Sequence, residues 1–233
     1  MEAIILAGGK AERLGQAAAG RPKALVPIAG RPLAAYQVEL LAGAGVERVI
    51  MSCAVGQGAA FESALRDLGP AIVTAEEPKP LGRGGGLRFA ARRRQEQGPC
   101  FALNGDELLD ADLGALLSQH ERSGVDATIM VARPRSPFGV VELDGDLVTG
   151  FREGAPLEQW VSCGAYVLGP AAVERLPERG DHESTTFPEL AAERRLGGFR
   201  HEGLWLTVNT PKDLRVANER LATLRAGFLS GLA

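Results

Sequence analysis

Residues 3–33, AIILAGGKAERLGQAAAGRPKALVPIAGRPL, constrain this chain more than any other segment. The apolar run 3–7 predicts a short buried strand that stops at Gly8-Gly9. Glycine at a strand end lets the backbone approach a ligand, and its N–H groups then face phosphate oxygens. Arg13 and Lys23 follow, ten positions apart, with Pro22 fixing the chain just before the lysine. A strand, a glycine turn and two separated cations imply a cradle for a nucleoside triphosphate, with Leu6, Ala7, Gly8 and Gly9 lying against the nucleotide.

Further apolar runs predict strands at 48–53, 71–74, 100–104 and 127–132. Amphipathic stretches at 32–42, 58–68, 84–95 and 112–122 predict helices between them. This alternation implies an α/β fold with a doubly wound, mainly parallel, Rossmann-like sheet. Ligands of such sheets bind outside the carboxyl ends of strands, where Gly8-Gly9 and Asp106 both fall. After Pro134 the texture changes: 139–143, 147–151 and 161–168 read as strands, with Asp144-Gly145 as a hairpin turn between the first two. They predict a small inserted antiparallel section over a second substrate. A last strand, 204–208, precedes a helix from Pro211 to about Ala226. One domain is expected, with a nucleotide-binding half (1–132), an acceptor section (133–203) and a closing strand and helix (204–233).

The pattern L-A-G-G-x-x-x-R-L, then P-K-x-L-x-P-I-x-G-x-P-L, resembles the signature of nucleotidyltransferases that join NTPs to sugar 1-phosphates. The likeness spans nearly the whole chain and comes nearest to short mannose or heptose 1-phosphate guanylyltransferases. Those enzymes usually read G-x-G-T-R, where this chain has Gly9-Lys10-Ala11-Glu12-Arg13. By the resemblance, Arg13 holds the β and γ phosphates, and Lys23 sits between donor and acceptor phosphates. A bound triphosphate carries roughly four negative charges, and preorganised cations stabilise the charge that moves onto departing pyrophosphate.

Asp106 follows the apolar run 100–103 in FALNGDELLD. A carboxylate at the mouth of a parallel sheet suits Mg²⁺ held against phosphates, although Asn-Gly-Asp is also ordinary turn chemistry. The resemblance makes it the metal-binding aspartate and implies Mg²⁺ as cofactor. The family's late motif W-x-D-x-G-T-P here reads WLTVNTP, so Thr207 stands in place of its aspartate. Asn209 offers a carbonyl oxygen two positions on, as a second metal ligand or as a helix cap before Pro211.

The segment EPKPLGRGGG (77–86) resembles the family's E-x-x-P-L-G-T-G/A-G, whose backbone packs on the nucleobase. Glu77 and Gly82 are therefore expected at the nucleotide, with Glu77 accepting from guanine N1–H and N2–H, and Arg83 replaces the customary threonine. Gly139, Glu153 and Ser162 match the sugar-phosphate elements G-V-V, E-K-P and N-x-G. Gly154 takes the place of a lysine expected near the acceptor phosphate, and Arg152 is the nearest substitute in sequence.

A net charge of −3 gives no reason to expect nucleic acid or a membrane surface as partner. Three scattered cysteines, Cys53, Cys100 and Cys163, read as small buried hydrophobes. Neither a signal core nor a membrane-length apolar run is evident, so the cytoplasm is the expected compartment. Arg92-Arg93-Arg94 reads as a solvated helical face and Asp181-His182-Glu183 as a surface loop. The expected activity is Mg²⁺-dependent transfer from an NTP, GTP favoured, to a sugar 1-phosphate, giving an NDP-sugar and pyrophosphate. Uridylyl or cytidylyl transfer to another phosphorylated acceptor, or a non-catalytic nucleotide-binding regulator, stays open beside it. So does the oligomeric state, a homo-oligomer included.

Overall fold

The computed structural model describes the backbone of residues 1–230 and the side chains of residues 1–222. Strand β1 (Glu2–Leu6) leads through two short 3₁₀ segments, Glu12–Ala18 and Lys23–Leu25, to a tiny hairpin, β2 (Pro27–Ile28) and β3 (Arg31–Pro32), and helix α1 (Leu33–Gly43). Next come β4 (Arg48–Ala54), α2 (Gly58–Leu65), β5 (Ala71–Glu77), α3 (Gly82–Ala91), β6 (Cys100–Asn104) and β7 (Glu107–Leu109). They are followed by α4 (Leu113–Ser123), β8 (Ala127–Ala132), the hairpin β9 (Val140–Asp144) and β10 (Leu147–Arg152), and β11 (Val161–Leu168). The chain closes with α5 (Pro170–Arg175), α6 (Thr186–Ala192), β12 (Leu196–Arg200), β13 (Trp205–Thr207) and α7 (Pro211–Ser230).

Seven strands form one sheet in the order β12-β8-β11-β6-β1-β4-β5. Every neighbouring pair is parallel except those made by β11, which runs against both β6 and β8. Period-two alternation sends Ala3, Ile5, Val49, Met51, Phe101 and Leu103 to one face, against α1, α2 and α4. Ile4, Ile50, Cys100 and Ala102 go to the other, against α3, α5 and α6. Helices on both faces require strands that are apolar throughout, which is why β1 and β6 read as unbroken runs. A third cluster, including Leu14, Val26, Ile28, Leu33, Leu108, Val208 and Ala217, packs the segment after β1 against β7 and α7.

The expected mainly parallel sheet is present, and so is the exposed hairpin β9–β10. Residues 161–168, read from sequence with the inserted section, belong instead to the main sheet as β11. Six consecutive residues there, Cys163–Leu168, are buried, as befits a strand covered on both faces. The last strand pairs with β7 in a separate two-stranded ladder, Trp205 opposite Leu109 and Thr207 opposite Glu107. The arginine run is not wholly solvated, because the Arg94 side chain is 7% exposed and lies 3.7 Å from buried Glu2. Nor is 181–183 simple surface: His182 is fully buried, edge-on to Tyr166 and Phe187. All three cysteines are buried in strands. Among the described residues, no helix is long and apolar enough to cross a membrane.

Candidate active site

Because β1, β4 and β6 are parallel neighbours, the turns after their carboxyl ends lie side by side. The Ala7 N–H donates to Ser52 at 2.7 Å and the Gly105 N–H to Leu6 at 2.9 Å. A Cβ on Gly105 would sit 2.4 Å from the Leu6 carbonyl oxygen, so only glycine allows β6 to turn this close over β1. Gly8 and Gly9 are exposed at the crevice. Glu77 Oε1 lies 3.6 Å from the Cβ position of Gly8, and the Lys23 stem 3.8 Å from that of Gly9.

Lys23 opens a 3₁₀ turn after Pro22, whose extended backbone directs the side chain back under the glycines. Its ammonium donates to Asp106 Oδ2 at 2.7 Å and also to Asn209 Oδ1. Three residues far apart in sequence thus meet at one point, with the Lys23 side chain 12% exposed and Asp106 29%. Asn209 is free for this contact because Thr210 caps α7. The Thr210 hydroxyl accepts from the Asp213 N–H at 3.2 Å, while Asp213 accepts from the N–H groups of Asn209 and Thr210 at 3.0 and 2.8 Å. The N–H of Val208 donates to the Asp106 carbonyl at 2.8 Å, tying the two turns together.

Glu107 was not singled out by sequence, yet it is among the few buried carboxylates. Burial pushes its carboxyl up to about 8, the neighbouring Asp106 charge adds to this, and hydrogen bonds from Thr207 and Trp205 oppose it. Those donors lie 2.7 and 2.8 Å from Oε2. Thr207, where the family pattern has an acid, therefore serves to hold an acid on the opposite strand. The Gln37 amide donates to the carbonyls of Asn104 and Glu107 at 2.7 and 2.9 Å, bracing the loop that carries Asp106. Only the run Asp106-Glu107 hints at this in sequence; the pairing with β13 has no local signal.

On the other side of the glycines, Glu77 accepts from the Ser52 hydroxyl at 2.9 Å and the Leu81 N–H at 3.1 Å, one bond at each carboxylate oxygen. Gly82 has φ +81°, and a Cβ there would lie 2.5 Å from the Gly180 carbonyl oxygen. That carbonyl accepts from the N–H of Gly84 at 3.0 Å, and the Gly180 N–H donates to Leu81 at 2.7 Å. Arg83 reinforces the seam through ion pairs with Asp181 and Glu183, the latter at 2.7 Å. Glu183 also accepts from the Tyr166 hydroxyl at 2.9 Å, and Asn104 donates to that hydroxyl at 3.3 Å.

The remaining expected residues are not brought into the Lys23 cluster. Arg13 is exposed on the Glu12–Ala18 segment, without an ion pair among the described residues. Besides Lys23, the cations near Gly9 are Lys10 and Arg21, which line a cavity of about 290 Å³ with it. Glu153 lines a second cavity, of about 690 Å³, with Arg133, Arg135 and Arg152. Gly139 lies under the Phe151 ring, which a Cβ would meet at 2.3 Å. Ser162 is half-buried in β11, and its hydroxyl accepts from the Gly164 N–H at 3.4 Å.

A model of the nucleotidyl transferase family matches residues 2–223. The chain is 32% identical to mannose-1-phosphate guanyltransferase from Pichia angusta over 231 aligned residues, covering 91% of this chain and 62% of that protein. It is 33% identical to mannose-1-phosphate guanylyltransferase from Mycobacterium tuberculosis, again covering 91% and 62%. The chain thus spans about three fifths of the length of these relatives. Among solved structures, HddC from Yersinia pseudotuberculosis complexed with GMP-PN aligns at TM-score 0.72 and 23% identity, over 94% of this chain and 99% of that one. A putative glucose-1-phosphate thymidylyltransferase from Bacillus anthracis aligns at TM-score 0.75 and 18% identity, over 94% of each chain. At these identities the two structures speak for the fold.

Proposed function

This chain belongs to the nucleotidyl transferase family, and on that premise we propose that it transfers a guanylyl group from GTP to a sugar 1-phosphate of the mannose type. The products are a GDP-sugar and pyrophosphate. The reading rests on one observation, the meeting of Lys23 with Asp106 and Asn209 at the carboxyl ends of parallel strands. The names of the curated relatives favour the guanine base and the mannose-type acceptor.

A carboxylate oxygen and an amide oxygen converging on one positive centre form a hard donor pair that also suits Mg²⁺. Asp106 and Asn209 would hold that ion, and bound there it would offset charge on the donor phosphates. The other steps belong to the chain. The N–H groups of Gly8 and Gly9 line the phosphates, and Lys23 supplies a fixed cation where donor and acceptor phosphates meet. Glu77 fixes the 77–81 turn against which the base lies, and the Gly180 seam keeps that turn rigid. Glu107, clamped from β13, sets the direction of the loop bearing Asp106. A sugar-phosphate oxygen forms a bond to the α-phosphorus as the bond to the bridging oxygen breaks, and pyrophosphate departs with that electron pair. The attacking oxygen is already anionic, so positioning and charge stabilisation suffice without a general base.

Incubation of the purified chain with Mg²⁺, each NTP and a panel of sugar 1-phosphates tests the proposal through pyrophosphate release. GTP with mannose 1-phosphate should lead the panel. Tight GTP binding without release would reassign the chain as a nucleotide-binding regulator, and release with UTP or CTP alone would overturn the base assignment.

A further inference from the structure

The cavity of about 690 Å³ beside Glu153 is lined by three arginines, Arg133, Arg135 and Arg152, and by Glu153 and Glu158. It lies on the same side of the sheet as the Lys23 cluster. Strand β11 runs against both β6 and β8, so β6 and β8 point the same way, and residues 133–135 leave the sheet at the edge where Asp106 emerges. Between them stands the start of β11. There the Cβ position of Gly164 lies 2.7 Å from Asn104 and 2.9 Å from Glu107, while Ser162 pairs with Val131.

Two of the three arginines are committed. Arg133 stacks over the Trp160 ring with its guanidinium carbon 4.7 Å from the centroid. Arg152, the substitute suggested by sequence, is held 2.8 Å from Glu142 on the hairpin. Arg135 has neither a carboxylate nor a ring partner among the described residues, although two glutamates share its cavity. Its backbone is nevertheless pinned. It bridges to Pro156, with Ser136 N–H donating to Ala155 at 2.9 Å and Leu157 N–H to Pro134 at 2.9 Å. The guanidinium passes Gly154, whose Cβ position is 4.0 Å from Arg135 Nε, so the missing side chain leaves open the space over a planar fork of donors. A guanidinium on a fixed backbone, unpaired and uncovered, matches the oxygens of a phosphate monoester, and the adjacent carboxylates match sugar hydroxyls.

We infer that Arg135 is the anion-binding side chain of the acceptor half, taking the phosphate of a phosphorylated sugar; this rests on the function proposed above. The test is binding of mannose 1-phosphate, and separately of inorganic phosphate, to the full chain by titration calorimetry. Arg135→Ala should weaken both by roughly tenfold or more, Arg135→Lys should recover part of the loss, and Arg152→Ala should cost clearly less than Arg135→Ala. In steady state, Arg135→Ala should raise KM for the sugar phosphate while KM for GTP and the melting temperature hold. Unchanged phosphate binding in Arg135→Ala, a larger loss in Arg152→Ala, or an equal loss of GTP affinity would overturn the assignment. Arg135-dependent binding in a chain that releases no pyrophosphate would keep the assignment and sink the activity. Pyrophosphate release with an unaltered KM in Arg135→Ala would do the reverse.

Discussion

The ammonium of Lys23 lies 2.7 Å from the carboxylate of Asp106, a residue 83 positions away on a different strand turn. Asp106→Ala should lower the rate of pyrophosphate release by roughly 10²-fold or more, the scale for losing one preorganised electrostatic group. The pair is partly exposed, so its removal should cost about 1 kcal/mol or less of stability. Single-turnover kinetics beside a denaturant melt separate the two effects. A variant that turns over at the native rate ends the catalytic assignment of Asp106.

Asn209 points its amide oxygen at Lys23, whereas Thr210 and Asp213 cap α7. Asn209→Ala should therefore leave the melting temperature nearly unchanged while moving the Mg²⁺ titration of activity to roughly tenfold higher concentration. Thr210→Ala should do the opposite, costing about 1 kcal/mol with the metal titration intact. An identical Mg²⁺ midpoint in native protein and Asn209→Ala would remove Asn209 from the ion's surroundings.

Gly82 faces the Gly180 carbonyl at φ +81°. Gly82→Ala combines a left-handed backbone with a backbone clash and should cost on the order of 1–3 kcal/mol, together with weaker GTP binding. Gly98 has open space around it, so Gly98→Ala is the matched control and should stay within about 0.5 kcal/mol. Equal melts for the two variants would show that the seam yields.

His182 is fully buried, neither ring nitrogen has a hydrogen-bond partner among the described residues although Asp181 lies 3.8 Å from Nδ1, and burial lowers its titration from 6.5 to about 4. Between those values the unfolded chain binds the proton that the folded chain refuses. Stability is thus complete above pH 6.5 and is lost as pH falls towards 4, by about 3 kcal/mol in all. His182→Phe keeps the edge-on aromatic packing and removes the titration, so its melting temperature should depend less on pH across that window. Parallel pH–melt curves for the two proteins would contradict this.

Much of the architecture was legible because β1, β4, β6 and β8 are apolar on both sides and their helices carry one apolar face. The glycine turn after β1 was legible for a different reason: glycine at a strand end has few uses. What local pattern concealed was partnership. Nothing near Val161–Leu168 says that this strand inserts between β6 and β8. Nothing near Thr207 says that its hydroxyl meets a carboxylate 100 positions back. Arg83 was a departure without a reason until Asp181 and Glu183 stood opposite it, and the same loop buries a histidine that reads as surface. Cation and acid were each visible alone, whereas the choice of Arg135 over Arg152 depends on which guanidinium a neighbour already holds.

Lys23 also acts as a built-in counter-ion. Two electron-rich oxygens brought face to face repel, and a positive centre between them offsets that repulsion where the turns after β6 and β13 meet. Because that centre is tethered to the backbone, it stays at hand when chelator strips divalent ions from solution. The walls of the crevice hold their spacing in advance, and an incoming ligand meets a mould already set.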